Sequence, residues 1–583
     1  MVVKFRSKVT AWFLTICLAV TLIPDIGHAR EAAGEDDGGA KLSPEEVTEA
    51  NVIEKTEDTT TYDLGAGEKM TVFHGGEVRY ENEKGELTDY DPSLVKIKEA
   101  EKTTRGEPLT GYAYQNKEGD SKQYIPETLS EETPILMEKG DYRITMTPAA
   151  ETLEAFKTKS GNPDIEKEKV PTAYEGEEEL SLNAVYEGTT GKGDIKYTST
   201  ENGVKESITL NEIPESNVFK YVMTLSEGMI LRKNPTDEGI TVYDERKDKI
   251  AAGIEAPWMN DAGGDSYSEA ITYDIEEEEE GKYIITMTVD EEYLKDEGRK
   301  YPVTIDPTTT WRGNDSLRDI YVISGKYANT NFYSSGTVVM PAGVNSTGTH
   351  RTYLMFMNLR NKTYGQSISS AKLTVYERSD GKSGQKIAAY RILEDWRSAS
   401  LTWNNKPSGA TAATASVTTS NKAGTAKVFD LTSYVKKVAA GTVQNYGMVL
   451  RNITSSPSYS SFYGSRSSVT GYRPKLVVTY YSKPTTATSA SISPRYTNSS
   501  TKAKLSFSGI TSSGLARCEY RIYNYNDSTA ANGTIKLDYS SARPIKSGAY
   551  LPSLAEGCYK IYVRGVNKAG TAGGAKTAGV VHI

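Results

Sequence analysis

The sequence predicts an all-β, multidomain chain of antiparallel β-sandwiches that follows a signal peptide. Three observations predict it. Short apolar runs alternate with polar residues and are separated by Gly, Asn, Pro and charge clusters, the pattern of strands and hairpins. Tyrosine (39) far outnumbers phenylalanine (10), which suits half-exposed strand faces. The length of 583 residues allows about three to four such domains.

The elements follow in chain order. Residues 1–29 read as a secretory signal: Lys4, Arg6 and Lys8 form a basic start, residues 11–23 an apolar run, and Gly27, His28 and Ala29 a small-residue cleavage region. Cys17 follows the bulky Ile16 and sits inside the run, so lipidation is not expected. No later run is long enough to span a bilayer of about 30 Å. The expected location is therefore extracellular or cell-wall associated, with no membrane anchor. Residues 30–60 are polar and acidic, a disordered linker.

Residues 61–310 form an acidic, β-rich region in which KMTVFHG, DYRITMT, DIKYTST, ESITL, KYVMTL and YIITMTV alternate. Its Glu276–Glu280 run reads as a solvated hairpin tip. Calcium loops space their carboxylates at alternate positions and turn on Gly, and this run does neither. Residues 311–482 form a second region, with a helical turn expected near Thr432 to Val438 because Leu431, Val435 and Val438 recur at helical spacing. In LTWNNKP, residues 401–407, alternation puts Leu401 and Trp403 on one strand face, with a turn at Asn404 and Asn405 and a stop at Pro407. Trp403 reads as a core or loop anchor before it reads as a sugar platform. Residues 483–490 are a linker, and residues 491–583 a last sandwich. There Cys518 and Cys558 open two tyrosine-rich strands. If these pair antiparallel the sulfurs lie roughly 20 Å apart, so no disulfide is expected.

Charge is lopsided behind the net −9. The acidic half, from residue 30 to 311, carries roughly −33, and residues 312–481 carry roughly +14. A basic region attracts polyanions. By alternation Lys372, Thr374, Tyr376 and Arg378 share one strand face, opposite Leu373 and Val375. Lys382 and Lys386 follow on the next turn and strand. Arg451, Arg466, Arg473 and Lys475 gather in the closing strands near Tyr459 and Tyr463. The expected ligand-binding set is thus Lys372, Arg378, Lys382, Lys386, Arg451, Tyr459, Tyr463, Arg466, Arg473 and Lys475. The guanidinium groups would hold carboxylate or phosphate bidentately and the tyrosines would face sugar rings.

Three resemblances add to this reading. VFHGGEVRYENEKGELTDYDPSL, NGVKESITLNE and GRKYPVTIDPTTTW resemble the N-terminal β region of bacterial wall-associated and RHS-repeat surface proteins; the phrase from Tyr301 to Pro307 is the most specific. HRTYLMFMNL, SISSAKLTVYE, AYRILEDWRSASLTWNNKP, KVFDLTSYVKKVAAGTVQNYGMVLRN and GYRPKLVVTYY, in that order, resemble the DNRLRE domain, carbohydrate-binding module family 96. That resemblance implies an antiparallel sandwich with a non-catalytic, sugar-binding role. It departs from the family at Met355-Phe356-Met357-Asn358-Leu359, where Arg-Phe-Asp-Leu is usual, and the naming hexapeptide is absent. AKLSFSGI, CEYRIYNY and GCYKIYVRGVNKAG resemble bacterial Ig-like or fibronectin-III-like repeats, which are usually spacers.

No catalytic constellation stands out. His74, His350 and His582 are scattered, without zinc-ligand spacing, and G-x-S-x-G, P-loop and H-E-x-x-H motifs are absent. Asp430 reads as a turn acceptor; Asp315 and Asp319 offer a structural calcium alternative. The expectation is a secreted, non-enzymatic protein without cofactor or metal. It would hold acidic polysaccharide or cell-wall polymer and no nucleic acid. The alternative is a structural or delivery N-terminal segment of an RHS-type cell-surface or toxin system, with a polysaccharide lyase or hydrolase in third place.

Overall fold

A computed structural model describes residues 42–583 apart from residues 160, 172–176, 234–238, 255–256, 263–267, 269, 307, 312–315, 333–338, 379–380, 468–469, 499–501 and 513. The signal expected over residues 1–29, and Asp315, lie outside the described residues. The regular structure among the described residues is mostly antiparallel strand, as expected. The helix expected near Thr432 is Thr432–Ala439, which buries Tyr434, Val435 and Val438. The backbone N–H of Thr432 donates to Asp430 Oδ1 at 2.9 Å, the turn role expected of Asp430. Ala150–Phe156, Glu291–Lys295 and Leu359–Thr363 are further helices. With five to seven residues each, they are too short to show a period of 3.6 in sequence.

The acidic region is two facing sheets. One has eight strands, from Ile271–Glu279 at one edge to Asp91–Lys96 at the other; the second has ten, including Gly193–Thr200 and Gly203–Leu210. Ile144, Met223, Ile285 and Met287 meet Ile195, Tyr197, Ile208 and Ile305 in the shared core. Lys282–Val289 shows the period of two directly, since every second residue is buried. The glutamate run is the hairpin before it, with Glu279 opposite Lys282.

The basic region is a sandwich, and here the chain departs from its sequence reading. One sheet has the order Val52–Lys55, Thr59–Asp63, Glu68–His74, Lys475–Tyr481, Ser367–Tyr376, Ala426–Asp430. Part of the expected linker and the first strands of the expected acidic region thus complete a sheet whose other half begins near residue 367. Leu42 N–H donates to the Leu64 carbonyl at 2.8 Å, so residues 42–60 are folded rather than disordered. A distant partner supplies the order that local composition withholds. The second sheet contains Lys386–Arg391, Met448–Asn452, Gly348–Phe356, Val339–Asn345 and Ser460–Tyr463, with Leu317–Ile323 on Gly348–Phe356. Leu373, Val375, Phe429 and Leu476 face Met340, Leu354, Ile387, Leu450 and Phe462 between the sheets.

The acidic region folds back on this sandwich. Arg473 pairs with Glu201 at 3.2 Å, both side chains at most 7% exposed. The Arg378 guanidinium lies 5.3 Å from the Trp258 ring. The C-terminal residues form a three-stranded and a four-stranded sheet around Ile492, Leu505, Ile522, Ile561 and Val581. Cys518 and Cys558, the cysteines among the described residues, are both free. The register explains why: Cys518 is opposite Gly565, and Tyr559, beside Cys558, is opposite Asn524 at the other end.

Two predictions follow from burial. Arg473→Ala strands the Glu201 carboxylate and should lower stability by about 3–5 kcal/mol; in guanidinium unfolding, the paired change Glu201→Leu with Arg473→Met should recover most of the loss. Glu206 is buried between the acidic sheets and accepts a hydrogen bond from the Tyr221 hydroxyl at 2.9 Å. Burial pushes its carboxyl up to about 8 from 4.5. The folded state therefore keeps a proton that the unfolded chain loses, so this contribution is full below about pH 4.5 and is lost as pH rises through about 8. Glu206→Gln should flatten that slope in unfolding measured across the interval.

Candidate functional site

Alternation along Gly348–Phe356 sends Leu354 and Phe356 to the core and Arg351, Tyr353 and Met355 to the outer face of the second sheet. Neighbouring strands add Ile320, Val322, Tyr390 and Val449 to that face. Residues 392–409 fold back across it: Trp396 and Leu401 are buried against Ile320, Val322, Tyr353, Met355 and Val449. The Trp396 indole N–H donates to the Tyr446 carbonyl at 2.8 Å.

LTWNNKP is therefore a turn in this covering loop, preceded by the short 3-10 turn Ser398–Ser400, and not the strand end that alternation suggested. Side-chain amides override the strand pattern. Asn405 Oδ1 accepts from Thr402 N–H, Asn405 Nδ2 donates to the Ser400 carbonyl, and Asn404 Nδ2 donates to Asn329 Oδ1, each at 2.7 Å. Leu401 is a core residue as expected. Trp403 is half-buried at the edge of the same cluster.

Cations gather around Trp403. The Arg351 guanidinium is 4.7 Å and the Lys406 ammonium 4.2 Å from its ring centroid. The register that sets Thr352 opposite Leu450 brings Arg351 beside Arg451, whose guanidinium is 4.8 Å from the Tyr390 ring. Gly409 permits this packing, because a Cβ there would stand 2.3 Å from Arg451 Nη2. Burial first, and then the neighbouring arginines, hold Lys406 and Arg451 below their usual pKa ranges. Arg451 Nε is buried without a hydrogen-bond partner. Among the described residues no carboxylate pairs with these three cations. A partly desolvated, uncompensated positive cluster beside two rings favours a ligand that brings acceptor oxygens.

The ten residues expected to bind do not form one surface. Arg451 is in the Trp403 cluster, and exposed Lys386 shares its sheet face by alternation. Lys382 is exposed in the turn before that strand. Exposed Lys372 is on the other sheet, opposite Asp430. Arg378 lies against Trp258 and 5.6 Å from the Tyr463 ring; Tyr463 itself stacks on Tyr472 at 4.9 Å. Arg473 is spent on Glu201 and on the Ser467 carbonyl. Lys475 is buried near Tyr376, which is also buried and not on an open face with Lys372. Arg466 is half-buried and engaged within the chain. Tyr459 packs edge-on to His350 at 5.2 Å. Asp319 accepts from Ser465 N–H at 2.8 Å. Arg351, Tyr390 and Lys406 were not on the sequence list, because their convergence depends on strand order and on the course of the loop.

Residues 314–480 match carbohydrate-binding module family 96. The chain is 24% identical over 481 residues to the tRNA nuclease WapA of Bacillus subtilis (strain 168), covering 77% of this chain and 19% of that protein. It is also 24% identical over 486 residues to the tRNA3(Ser)-specific nuclease WapA of Bacillus spizizenii, covering 76% and 19%. The chain thus spans about a fifth of the length of these relatives. The Endo-D glycoside hydrolase domain of Streptococcus pneumoniae R6 aligns over 47% of this chain and 39% of its own, at 14% identity and a TM-score of 0.14, too low to support a fold argument. The match to relatives named as tRNA nucleases corrects three expectations: a non-catalytic polysaccharide holder, no enzyme, and no nucleic acid. Those expectations rested on local charge and on missing motifs, neither of which reports what the rest of a longer protein does. No helix among the described residues is long and apolar enough to cross a membrane.

The cluster makes its own prediction. Arg351→Met keeps an apolar stem on Trp403 and removes one of three repelling charges. It should raise the thermal midpoint by about 2 °C at low ionic strength, and the gain should vanish at high salt. A lower midpoint at low salt would contradict an uncompensated cluster.

Proposed function

We propose that this chain serves in a tRNA-nuclease protein of the kind its relatives are named for, and that residues 314–480 hold a carbohydrate at the Trp403 face. The observation that carries the reading is the convergence of Arg351, Lys406 and Arg451 on Trp403 and Tyr390, inside the segment that matches a carbohydrate-binding module. Aromatic rings offer an apolar surface to the C–H face of a sugar, and the cations offer charge-assisted hydrogen bonds to its oxygens. Export is part of the proposal; Lys4, Arg6 and Lys8, the apolar run after them and Gly27-His28-Ala29 support it. The RHS-type phrases before residue 310 and the Ig-like phrases after residue 490 support a surface-protein architecture in which the last region is a spacer.

The same cations, which no described carboxylate neutralises, favour one second reading. An RNA phosphate would neutralise them while a base packs beside the partly exposed Trp403 and Tyr390, which would make this face a contact for tRNA.

The test uses the native protein from its producing cells, assayed for cleavage of bulk tRNA and for retention on immobilised glycans. We expect cleavage, and retention on at least one glycan. Gly409→Ala displaces the Arg451 guanidinium and should weaken retention about tenfold, a change of about 1.4 kcal/mol, while cleavage stays unchanged. No cleavage of tRNA overturns the nuclease reading. Glycan retention indifferent to Gly409→Ala overturns the site, and a parallel loss of tRNA binding favours the second reading.

A further inference from the structure

Away from the sandwich, three different metal-ligating side chains meet at one end of the C-terminal four-stranded sheet. Cys558 opens the strand Cys558–Asn567 and is paired directly with His582 on Lys576–His582, so the two side chains share a sheet face. On the other side Leu515–Asn526 runs antiparallel, with Asn524 opposite Tyr559. The turn that follows it delivers Asp527 beside Cys558. Asn526 holds that turn: its Oδ1 accepts from Ser528 N–H at 3.1 Å, Thr529 N–H at 3.2 Å and the Ser528 hydroxyl at 2.7 Å.

The thiol sulfur, an imidazole nitrogen and a carboxylate oxygen consequently lie within 4.8 Å of one another, with Asp527 Oδ2 3.7 Å from His582 Nε2. The imidazole is oriented as well as near. Tyr496 stacks on it at 4.6 Å and 11°. The His582 backbone N–H donates to the Arg495 carbonyl at 2.8 Å, and its carbonyl accepts from Thr497 N–H at 2.9 Å. The two cysteines differ accordingly: Cys518 packs against the apolar core, whereas Cys558 faces an imidazole and a carboxylate. An Asp–His ion pair alone would account for two of the three groups and leave the sulfur without a role.

We propose that Asp527, Cys558 and His582 form a three-ligand site for a borderline-soft divalent cation of the zinc class. One sulfur, one nitrogen and one oxygen ligand suit that ion better than magnesium or calcium, which take oxygen. Three protein ligands leave the fourth tetrahedral position to water, and exposed Asp527 leaves the site reachable. The histidines looked scattered in sequence because the set is drawn from two strands and a turn of a third, with no local spacing to betray it. A cysteine ligates as the thiolate, so binding at Cys558 releases a proton.

The test titrates the full chain with cobalt(II) as a spectroscopic stand-in for zinc. A thiolate-to-cobalt charge-transfer band should appear, zinc should abolish it, and Cys558→Ser should remove it. His582→Ala and Asp527→Asn should each weaken binding at least roughly 100-fold, since even changes behind the ligands cost about 10–100-fold. Cys518→Ser should change nothing. In the unsubstituted protein, zinc should slow alkylation of Cys558 but not of Cys518, a readout independent of how the variants fold. A cobalt spectrum without a thiolate band, a band that survives Cys558→Ser, or alkylation indifferent to zinc overturns the site.

Discussion

The antiparallel pairing of Glu68–His74 with Lys475–Tyr481 is the contact on which the rest depends. It joins strands some four hundred residues apart, with Val72 opposite Val477 and the Thr71 hydroxyl 3.1 Å from that of Tyr480. Without it, one side of Lys475–Tyr481 would present unpaired N–H and C=O groups, an open edge of the kind proteins normally cover. Because the chain both enters and leaves through this sheet, everything from residue 75 to 316 must start and finish at the sandwich. The acidic region is thereby held near a basic neighbour, and Glu201 reaches Arg473.

That closure decides what the positive charge of the sandwich is for. Arg378, Arg473 and Lys475 are drawn into contacts within the chain. Three carboxylates of the same module are committed as well: Glu377 accepts from Ser420 N–H and faces Lys427, Asp430 holds the start of a helix, and Asp319 holds Ser465. Arg351, Lys406 and Arg451 remain on the outer face of the second sheet with no carboxylate paired to them among the described residues. The covering loop that ends at Gly409 holds them against Trp403 and Tyr390.

Much of the fold was legible where the signal is local. Alternation in YIITMTV and from Lys372 to Val375, the helical spacing of Leu431, Val435 and Val438, and the opposed starts of the cysteine strands match the structure, because each depends on a residue's near neighbours; at Tyr376 the alternation breaks, since that ring is buried. Long-range pairing was not legible. Residues 42–60 carry a disordered composition yet fold, since their order comes from a strand at the far end of the sandwich. The candidate site was half legible for the same reason. Arg451 stood out by charge, but Arg351 becomes its neighbour only through sheet order, and LTWNNKP looked like a strand because its asparagine hydrogen bonds cannot be read from alternation. The acid–thiol–imidazole group at Asp527, Cys558 and His582 was hidden in the same way.

The most direct measurement compares residues 312–482 alone with residues 42–583 in guanidinium unfolding, alongside their association state. If the sandwich is completed by Glu68–His74, the shorter chain keeps an open sheet edge. It should then unfold at clearly lower denaturant or self-associate, and adding residues 42–75 as a peptide should restore part of the loss. A monomeric 312–482 segment with the same midpoint as the longer chain would contradict the account.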